Sequence, residues 1–283
     1  EISACLVGSE MCIRDRMKVV LLAGGYGTRF GKLTDYLPKP MIPVGPHPIL
    51  WHIMRTYAHY GFDDFVICLG YKAGLIKDYF LNFELYNNDF TMDFARADGE
   101  RQKVHHGRRP LFYPKVTLAY TGLETMTGAR LRRVADYLDG DEFMLTYGDG
   151  VADLNIKDLL AFHRAHGKLA TLTAVYPPPK FGDLKLDASR VLDFSEKKHR
   201  YGGYINGGFY VFNREALRYL HNDTTCVLEK EPLERLAREG ELMAYRHDGF
   251  WQCMDTTRDM ELLNRAWAER NAPWKVWDDE YLD

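Results

Sequence analysis

The segment LLAGGYGTRFGKLTDYLPKPM, residues 21–41, carries the strongest structural signal in the chain. It overlaps the apolar and β-branched run KVVLLAG (18–24), which is typical of a buried strand that ends in glycine. Glycines directly after the first strand of a parallel sheet allow backbone N–H groups to approach an anionic ligand, most often a phosphate. The segment therefore predicts a strand followed by a phosphate-binding turn.

Two familiar phosphate-binding motifs do not match this turn. The dinucleotide fingerprint G-x-G-x-x-G fails at Phe30, where it requires its third glycine. The P-loop pattern G-x-x-x-x-G-K-[ST] fails at Tyr26 and at Leu33, although Gly31 and Lys32 fit it. The sequence therefore indicates a different way of holding phosphates.

Two basic residues make the segment more specific. Arg29 offers a planar fork of N–H donors that suits phosphate oxygens. Lys39 lies in LPKPM (37–41), where the flanking prolines restrict the backbone that carries its ammonium group. We interpret both residues as phosphate-binding; the alternative for Lys39 is a solvated lysine in a proline turn.

Strand-like and helix-like segments alternate from residue 18 to about residue 177. Strands are predicted at 18–24, 63–70, 115–122, 142–150 and 168–177, and helices within 46–61, 72–83, 128–138 and 155–167. Such alternation predicts an α/β, Rossmann-like fold with a mainly parallel mixed sheet flanked by helices.

The pattern changes in the C-terminal half of the chain. Short strand-like segments at 183–195 and 204–212 predict a small antiparallel addition, and helices return at 230–239 and 256–270. The polar segment 84–114 is interpreted as a surface excursion or an oligomer contact.

The composition excludes several classes of protein. The net charge of −3 favours neither nucleic acid nor an anionic membrane as a partner. No apolar run approaches the length of a membrane-spanning helix. The five cysteines include no C-x-x-C pair, which argues against a disulfide framework and a zinc site and favours a cytoplasmic location.

The first sixteen residues, EISACLVGSEMCIRDR, differ in character from the rest of the chain. They lack helical or strand periodicity, and their apolar patch is too short for the core of a signal peptide. We interpret residues 1–16 as a non-native or disordered leader, Met17 as the natural start, and residues 17–283 as a single domain.

The motifs LAGGYGTR (22–29) and PKPM (38–41) resemble the signature of the sugar-1-phosphate nucleotidyltransferases. The resemblance extends from Met17 to about Trp277 through segments such as MTGARLRRV, TYGDGVADLNI, INGGFYVFN and GFWQCMDTTRD. It implies the fold of the nucleotide-diphospho-sugar transferases. Within the family, the longer segments resemble the members that use CTP and glucose 1-phosphate.

The resemblance implies an enzyme that transfers a cytidylyl group from CTP to glucose 1-phosphate, giving CDP-glucose and pyrophosphate. It also implies a homo-oligomer that serves the synthesis of bacterial surface polysaccharide, such as O-antigen. Two alternatives stay open at this point. One is transfer from UTP or dTTP to the same sugar phosphate, and the other is a non-catalytic module that binds sugar nucleotides.

The resemblance also implies which residues bind the nucleotide. The implied nucleotide-binding residues are Leu22, Ala23, Gly24, Gly25, Tyr26, Gly27, Thr28, Arg29, Lys39, Thr125, Arg130 and Gly148. The catalytic residues are predicted to be Lys39, Arg29 and Asp149, because the reaction must align two anions and neutralise the charge on departing pyrophosphate.

A carboxylate at the end of a predicted strand suggests a metal site. Asp149 lies between two glycines in TYGDG, and Mg²⁺ prefers a few carboxylate oxygens together with substrate phosphates. The resemblance implies Asp255 as the second Mg²⁺ ligand. The alternatives are a turn residue for Asp149 and a helix N-cap for Asp255. The implied sugar-phosphate-binding residues are Glu196, Lys197, Asn206 and Gly207.

Overall fold

The computed structural model describes residues 17–95, 102–105, 112–177, 183–187, 190–195 and 203–278. The strands in these ranges are β1 (Lys18–Leu22), β2 (Pro43–Val44), β3 (His47–Pro48), β4 (Asp64–Leu69), β5 (Asp89–Met92), β6 (Gln102–His105), β7 (Lys115–Tyr120), β8 (Glu142–Tyr147), β9 (Gly150–Ala152), β10 (Ala170–Val175), β11 (Asp183–Asp187), β12 (Arg190–Ser195), β13 (Ile205–Asn213), β14 (Leu242–His247) and β15 (Trp251–Cys253).

The helices cover the connections between these strands. The α-helices are α1 (Ile49–His59), α2 (Ala73–Leu81), α3 (Phe83–Asn87), α4 (Thr127–Arg133), α5 (Ile156–His166), α6 (Glu231–Arg238) and α7 (Thr257–Ala268). Short 3-10 helices are Thr28–Asp35, Lys39–Met41, Ala135–Tyr137 and Arg214–Tyr219. Within the ranges that the structure describes, none of the helices has the length and apolarity needed to cross a membrane.

Seven of the described strands form the main sheet, in the order β14-β10-β13-β8-β1-β4-β7. β1 pairs in parallel with both β4 and β8, which places the first predicted strand inside the sheet. β13 runs antiparallel between β10 and β8, whereas β14 is parallel to β10. The predicted α/β fold with a mainly parallel mixed sheet is therefore confirmed.

The segment predicted at 204–212 has a different place from the one expected. It forms β13 in the interior of the main sheet, while β11 and β12 form the small separate antiparallel pair. Residues 207–212 are all buried, as in a strand covered on both faces. The strand itself was predicted, but its position was not, because strand order depends on tertiary pairing.

Two parts of the sheet architecture have no clear sequence signal. β14 lies at the edge of the main sheet, and all six of its residues are exposed or half-buried. The β5–β6 pair lies inside the polar segment 84–114, and all four residues of β5 are exposed. Periodicity cannot identify strands that bury so little apolar surface.

The core lies on both faces of the sheet. Along β1, Val19 and Leu21 join one buried cluster with α1, whereas Val20 and Leu22 join a second cluster with α4 and α6. This alternation follows from the two-residue period of a strand. The carboxyl end of β1 is thereby fixed from both sides, beside the glycine-rich turn that follows it.

Several histidines lie in surroundings that disfavour their charged form. Burial lowers the pKa of His47 to about 4 and the pKa of His52 to about 3. Burial also lowers the pKa of His163 and of His166, which both contact the hydroxyl of Thr171. The folded protein therefore favours the neutral form of these four side chains.

We expect the melting temperature to fall as the pH drops below about 6.5, the ordinary pKa of histidine. A histidine whose folded-state pKa is depressed binds its proton more readily in the unfolded chain, so acid favours unfolding. Above about pH 7 both states carry neutral histidine and the effect disappears. Thermal melts across this range will measure it. His163→Gln should show a shallower fall, and a melting temperature that stays constant down to about pH 5 would contradict the assignment.

Candidate active site

The glycine-rich turn leaves the carboxyl end of β1 and is fixed by backbone hydrogen bonds. The Ala23 N–H donates to the Cys68 carbonyl at 3.1 Å, and the Gly24 carbonyl accepts from the Tyr71 N–H at 3.1 Å. Gly27 has φ 66°, a left-handed conformation that favours glycine, and it begins the 3-10 helix that carries Arg29. Among the predicted nucleotide-binding residues, the exposed ones are Gly25, Tyr26, Thr28 and Arg29.

Arg130 supports this turn through hydrogen bonds from its guanidinium group to backbone carbonyls. Its side chain lies almost wholly inside the protein and donates to the carbonyls of Gly24 at 3.0 Å, Leu69 at 3.1 Å and Gly122 at 2.7 Å. It also donates to the Leu123 carbonyl and to a threonine hydroxyl. Arg130 therefore ties the turn to the loop before α4, and its direct contact with the nucleotide stays a prediction.

We expect Gly24→Ala to destabilise the fold, whereas Gly25→Ala should not. A Cβ at Gly24 would lie 2.5 Å from Arg130 Cζ, but one at Gly25 would meet nothing within 4 Å. Overpacking of this kind costs typically ~1–3 kcal/mol. Urea unfolding of both variants will measure the difference in the free energy of unfolding. Equal stabilities would show that Arg130 can move aside.

Thr125 and Gly148 lie beside the turn in buried positions. The Thr125 hydroxyl accepts a hydrogen bond from Arg133 Nη1 at 2.9 Å. The Gly148 N–H donates to the Leu22 carbonyl at 3.0 Å, which joins the ends of β1 and β8. The predicted nucleotide-binding residues on three separate segments therefore lie around the carboxyl ends of neighbouring strands, where open α/β sheets bind ligands.

Lys39 lies at the centre of a cluster of charges. Its side chain is 10% exposed, and its Nζ donates to Asp149 Oδ2 at 2.6 Å and to Asp255 Oδ1. Arg29 Nη1 donates to Asp255 Oδ2 at 2.7 Å. The structure thus brings together the three predicted catalytic residues and the second predicted metal ligand, and it excludes the solvated lysine as the alternative for Lys39.

The charges in this cluster stabilise one another. Burial alone would lower the pKa of Lys39, but the carboxylates of Asp149 and Asp255 raise it above its ordinary value. Burial would raise the pKa of Asp255, but Lys39 and Arg29 lower it below its ordinary value. The ammonium group and the Asp255 carboxylate therefore both remain charged at neutral pH.

Strand pairing explains how two aspartates that are distant in sequence meet. Asp149 lies between β8 and β9, and β9 pairs with β15, which ends just before Asp255. The Met254 N–H donates to the Asp149 carbonyl at 2.8 Å. Asp255 is not the N-cap of α7, because Thr256 has that position and forms a capping box with Asp259.

The two aspartates fit a divalent cation that also binds phosphates. Both carboxylates already converge on one positive charge, the Lys39 ammonium. No group of three or more His, Cys, Asp or Glu residues in the described ranges could hold a metal by itself. Mg²⁺ suits such a site, because it usually takes one or two carboxylates and completes its shell with water and substrate phosphates.

A pocket of about 340 Å³ opens beside this cluster. It is lined by Arg29, Thr146, Tyr147, Asp149, Gly150, Asn206, Gly207, Gly208, Phe209, Glu229, Trp251, Cys253 and Asp255. The predicted sugar-phosphate residues Asn206 and Gly207 are among them, and the Gly207 carbonyl accepts from Trp251 Nε1 at 2.7 Å. The other two, Glu196 and Lys197, lie outside the described residues.

Several residues that line the pocket were not predicted from the sequence, among them Tyr147, Trp251 and Glu229. Tyr147 directly precedes the GDG motif, so its place at the end of β8 was a usable signal. Trp251 lies in the segment GFWQCMDTTRD, but neither Trp251 nor Glu229 was assigned to ligand binding from the sequence. They reach the pocket because β15 pairs with β9 and because the segment before α6 packs against α4.

Comparisons with known proteins agree on one family. The family model described as nucleotidyl transferase matches residues 18–267. The glucose-1-phosphate cytidylyltransferase of Salmonella typhi is 51% identical over 263 residues, covering 93% of this chain and all of that protein. A probable glucose-1-phosphate cytidylyltransferase of Bacillus subtilis is 41% identical over 261 residues, covering 92% of this chain and all of that protein.

Solved structures with lower identity show the same fold. HddC from Yersinia pseudotuberculosis superposes with a TM-score of 0.62 at 21% identity, covering 89% of this chain and 99% of that one. UDP-glucose pyrophosphorylase complexed with UDP-glucose gives a TM-score of 0.62 at 14% identity, covering 90% of this chain and all of that one.

Proposed function

The chain belongs to the nucleotidyl transferase family, and from that premise we propose that it transfers a cytidylyl group from CTP to glucose 1-phosphate. The products are CDP-glucose and pyrophosphate. The observation that carries the proposal is the convergence of Arg29, Lys39, Asp149 and Asp255 beside the pocket, close to the glycine-rich turn. The identity of 51% to a glucose-1-phosphate cytidylyltransferase over nearly the whole chain supports the choice of substrates.

The reaction requires alignment of two anions more than it requires proton transfer. A phosphate oxygen of glucose 1-phosphate attacks the α-phosphorus of CTP in line with the departing pyrophosphate. That oxygen is already anionic, so the protein need not supply a general base. Lys39 and Arg29 would hold the phosphates of the two substrates close together, against their mutual repulsion.

Asp149 and Asp255 would hold Mg²⁺ together with the phosphate oxygens of the substrates. When bound, the ion would neutralise charge on the phosphates and fix their geometry. Lys39 contacts both carboxylates now, and its flexible side chain can turn toward a phosphate when a cation competes for the same oxygens.

The two substrates would occupy opposite sides of the charge cluster. We assign CTP to the turn at residues 22–29 together with Thr125, Arg130 and Gly148. The sugar phosphate would occupy the pocket lined by Asn206 and Gly207, with Glu196 and Lys197 completing its site. In this arrangement Lys39 lies beside both the α-phosphate of CTP and the phosphate group that attacks it.

A panel of nucleotides tests the function directly. The protein is incubated with glucose 1-phosphate, Mg²⁺ and one of CTP, UTP, dTTP, ATP or GTP, and the released pyrophosphate is measured. We expect release with CTP and formation of CDP-glucose. Faster release with UTP or dTTP would assign the enzyme to a neighbouring activity, and no release with any nucleotide would refute catalysis.

We further propose that the enzyme is a cytoplasmic homo-oligomer. Large apolar side chains are exposed around β5, including Leu81, Tyr86 and Phe94. We interpret these exposed side chains as part of an interface between copies of the chain. Sedimentation should give a mass above that of one chain, and Phe94→Glu should lower it.

Residues 1–16 should be dispensable if the domain begins at Met17. They lie outside the described residues, whereas β1 begins at Lys18 and is buried from Val19 onward. We expect removal of residues 1–16 to leave kcat and the melting temperature nearly unchanged. A large loss of either would show that the leader belongs to the fold.

A further inference from the structure

The pocket lining that includes Arg29, Asp149 and Asp255 also includes a further carboxylate, Glu229. Its Oε1 accepts a hydrogen bond from the Tyr147 hydroxyl, and its Oε2 accepts one from Thr127 Oγ1 at 2.6 Å. Thr127 Oγ1 in turn accepts from the Leu228 N–H at 2.9 Å, so the threonine proton is directed to Glu229. Glu229 lines the pocket with Tyr147 and is half-buried.

A chain of hydrogen bonds leads to Glu229, and in it each group donates to the next, from Asn206 through the two tyrosines. The Asn206 amide donates to the Tyr210 hydroxyl, and its Oδ1 accepts from the Gly208 N–H at 2.9 Å, which fixes the orientation of the amide. The Tyr210 hydroxyl then donates to the Tyr147 oxygen at 3.1 Å, since Tyr147 donates to Glu229. Burial raises the pKa of Tyr210 to about 12 and also raises the pKa of Tyr147, so both phenols keep their protons.

The direction of these hydrogen bonds determines whether the pocket lining around Glu229 can donate to a ligand or accept from it. The hydroxyl protons of Tyr147, Tyr210 and Thr127 are all used inside the protein. An ionised carboxylate has about four lone-pair sites, and the described contacts use two of those of Glu229. The lining around Glu229 therefore accepts hydrogen bonds, while Arg29 in the same lining provides positive charge.

Such a pocket matches a molecule that carries both an anionic group and hydroxyl donors. Resting on the proposed function, we propose that Glu229 accepts a hydrogen bond from a ring hydroxyl of the sugar 1-phosphate and sets the preference of the enzyme among sugars. Tyr147 and Thr127 position the carboxylate for this contact. Through Thr127 at the start of α4, Glu229 also joins the sugar pocket to the helix that carries Arg130.

The test combines Glu229→Gln with sugar phosphates that lack one hydroxyl. The ratio kcat/KM is measured for wild type and variant with glucose 1-phosphate and with its 2-, 3-, 4- and 6-deoxy analogues, at saturating CTP. With glucose 1-phosphate the variant should lose between roughly tenfold and a hundredfold, the range for one hydrogen bond to a charged group. With the analogue that lacks the hydroxyl bound by Glu229, the variant should lose little, because the contact is already absent.

A purely structural role gives a different pattern. If Glu229→Gln loses the same factor with every analogue, Glu229 only supports the pocket and the proposal is wrong. Glu229→Asp keeps the charge and should couple to the same hydroxyl, which covers the case that the amide variant folds poorly. Glu241→Gln is the matched control, because Glu241 pairs with Lys168 outside the pocket lining. Failure of the proposed function would appear separately, as absence of pyrophosphate release by the wild-type enzyme.

Discussion

Lys39→Ala is expected to lower kcat by at least ~10²-fold, the scale for removing one preorganised group that stabilises a transition state. The ammonium group lies at the point where the charges of Arg29, Asp149 and Asp255 meet, and its raised pKa keeps it protonated at neutral pH. Negative charge develops there as pyrophosphate departs, so the loss should fall on kcat more than on the KM for CTP. Steady-state kinetics with both substrates will separate the two.

A second lysine–aspartate pair provides the control. Lys115 Nζ lies 3.0 Å from Asp64 Oδ2 in the described structure, away from the pocket lining. Lys115→Ala removes a lysine–aspartate ion pair at a more exposed lysine and should leave kcat unchanged. If Lys39→Ala retained near-normal turnover, or if both variants lost activity equally, Lys39 would only stabilise the fold around the two aspartates.

Some residues of this site were predictable from local sequence, whereas the contact between the two aspartates was not. The proline-flanked Lys39 was predictable because the restriction on its backbone is local and visible in five residues. The meeting of Asp149 with Asp255 was suggested by resemblance only, since it depends on the pairing of β9 with β15. That pairing joins strands of three residues each, which are too short for a periodic signal.

The contrast between local sequence signals and tertiary contacts also explains which strands and residues were predicted. Strands β1, β4 and β8 are buried runs of apolar residues, and the sequence predicted each of them. β13 was misplaced because strand order is a tertiary property that its own residues do not encode. Glu229 was missed because a carboxylate before a helix usually has a solvated role, and only the packing of that segment against Thr127 brings it to the pocket.

Asp255→Asn is expected to lower the rate and greatly weaken the dependence on Mg²⁺, with a similar outcome for Asp149→Asn. An amide oxygen binds a hard cation less well than a carboxylate does, and only two carboxylates in the described cluster converge on the cationic position. Chelation by EDTA should abolish wild-type activity, and added Mg²⁺ should restore it. Because the two residues act as one unit, the double variant should be little worse than the worse single variant.

Loss of stability must be separated from loss of the metal site, and Asp259 offers the means. Asp259 lies four residues beyond Asp255 and closes the capping box of α7, so Asp259→Asn should lower the melting temperature by removing a cap. Because Asp259 contacts only the backbone N–H of Asp255, Asp259→Asn should change the Mg²⁺ concentration needed for half-maximal rate much less than Asp255→Asn does. Asp255→Asn should show the opposite pattern, with a large shift in Mg²⁺ dependence. If instead the two variants differed from wild type only in melting temperature, Asp255 would be a structural residue and the two-aspartate site would be wrong.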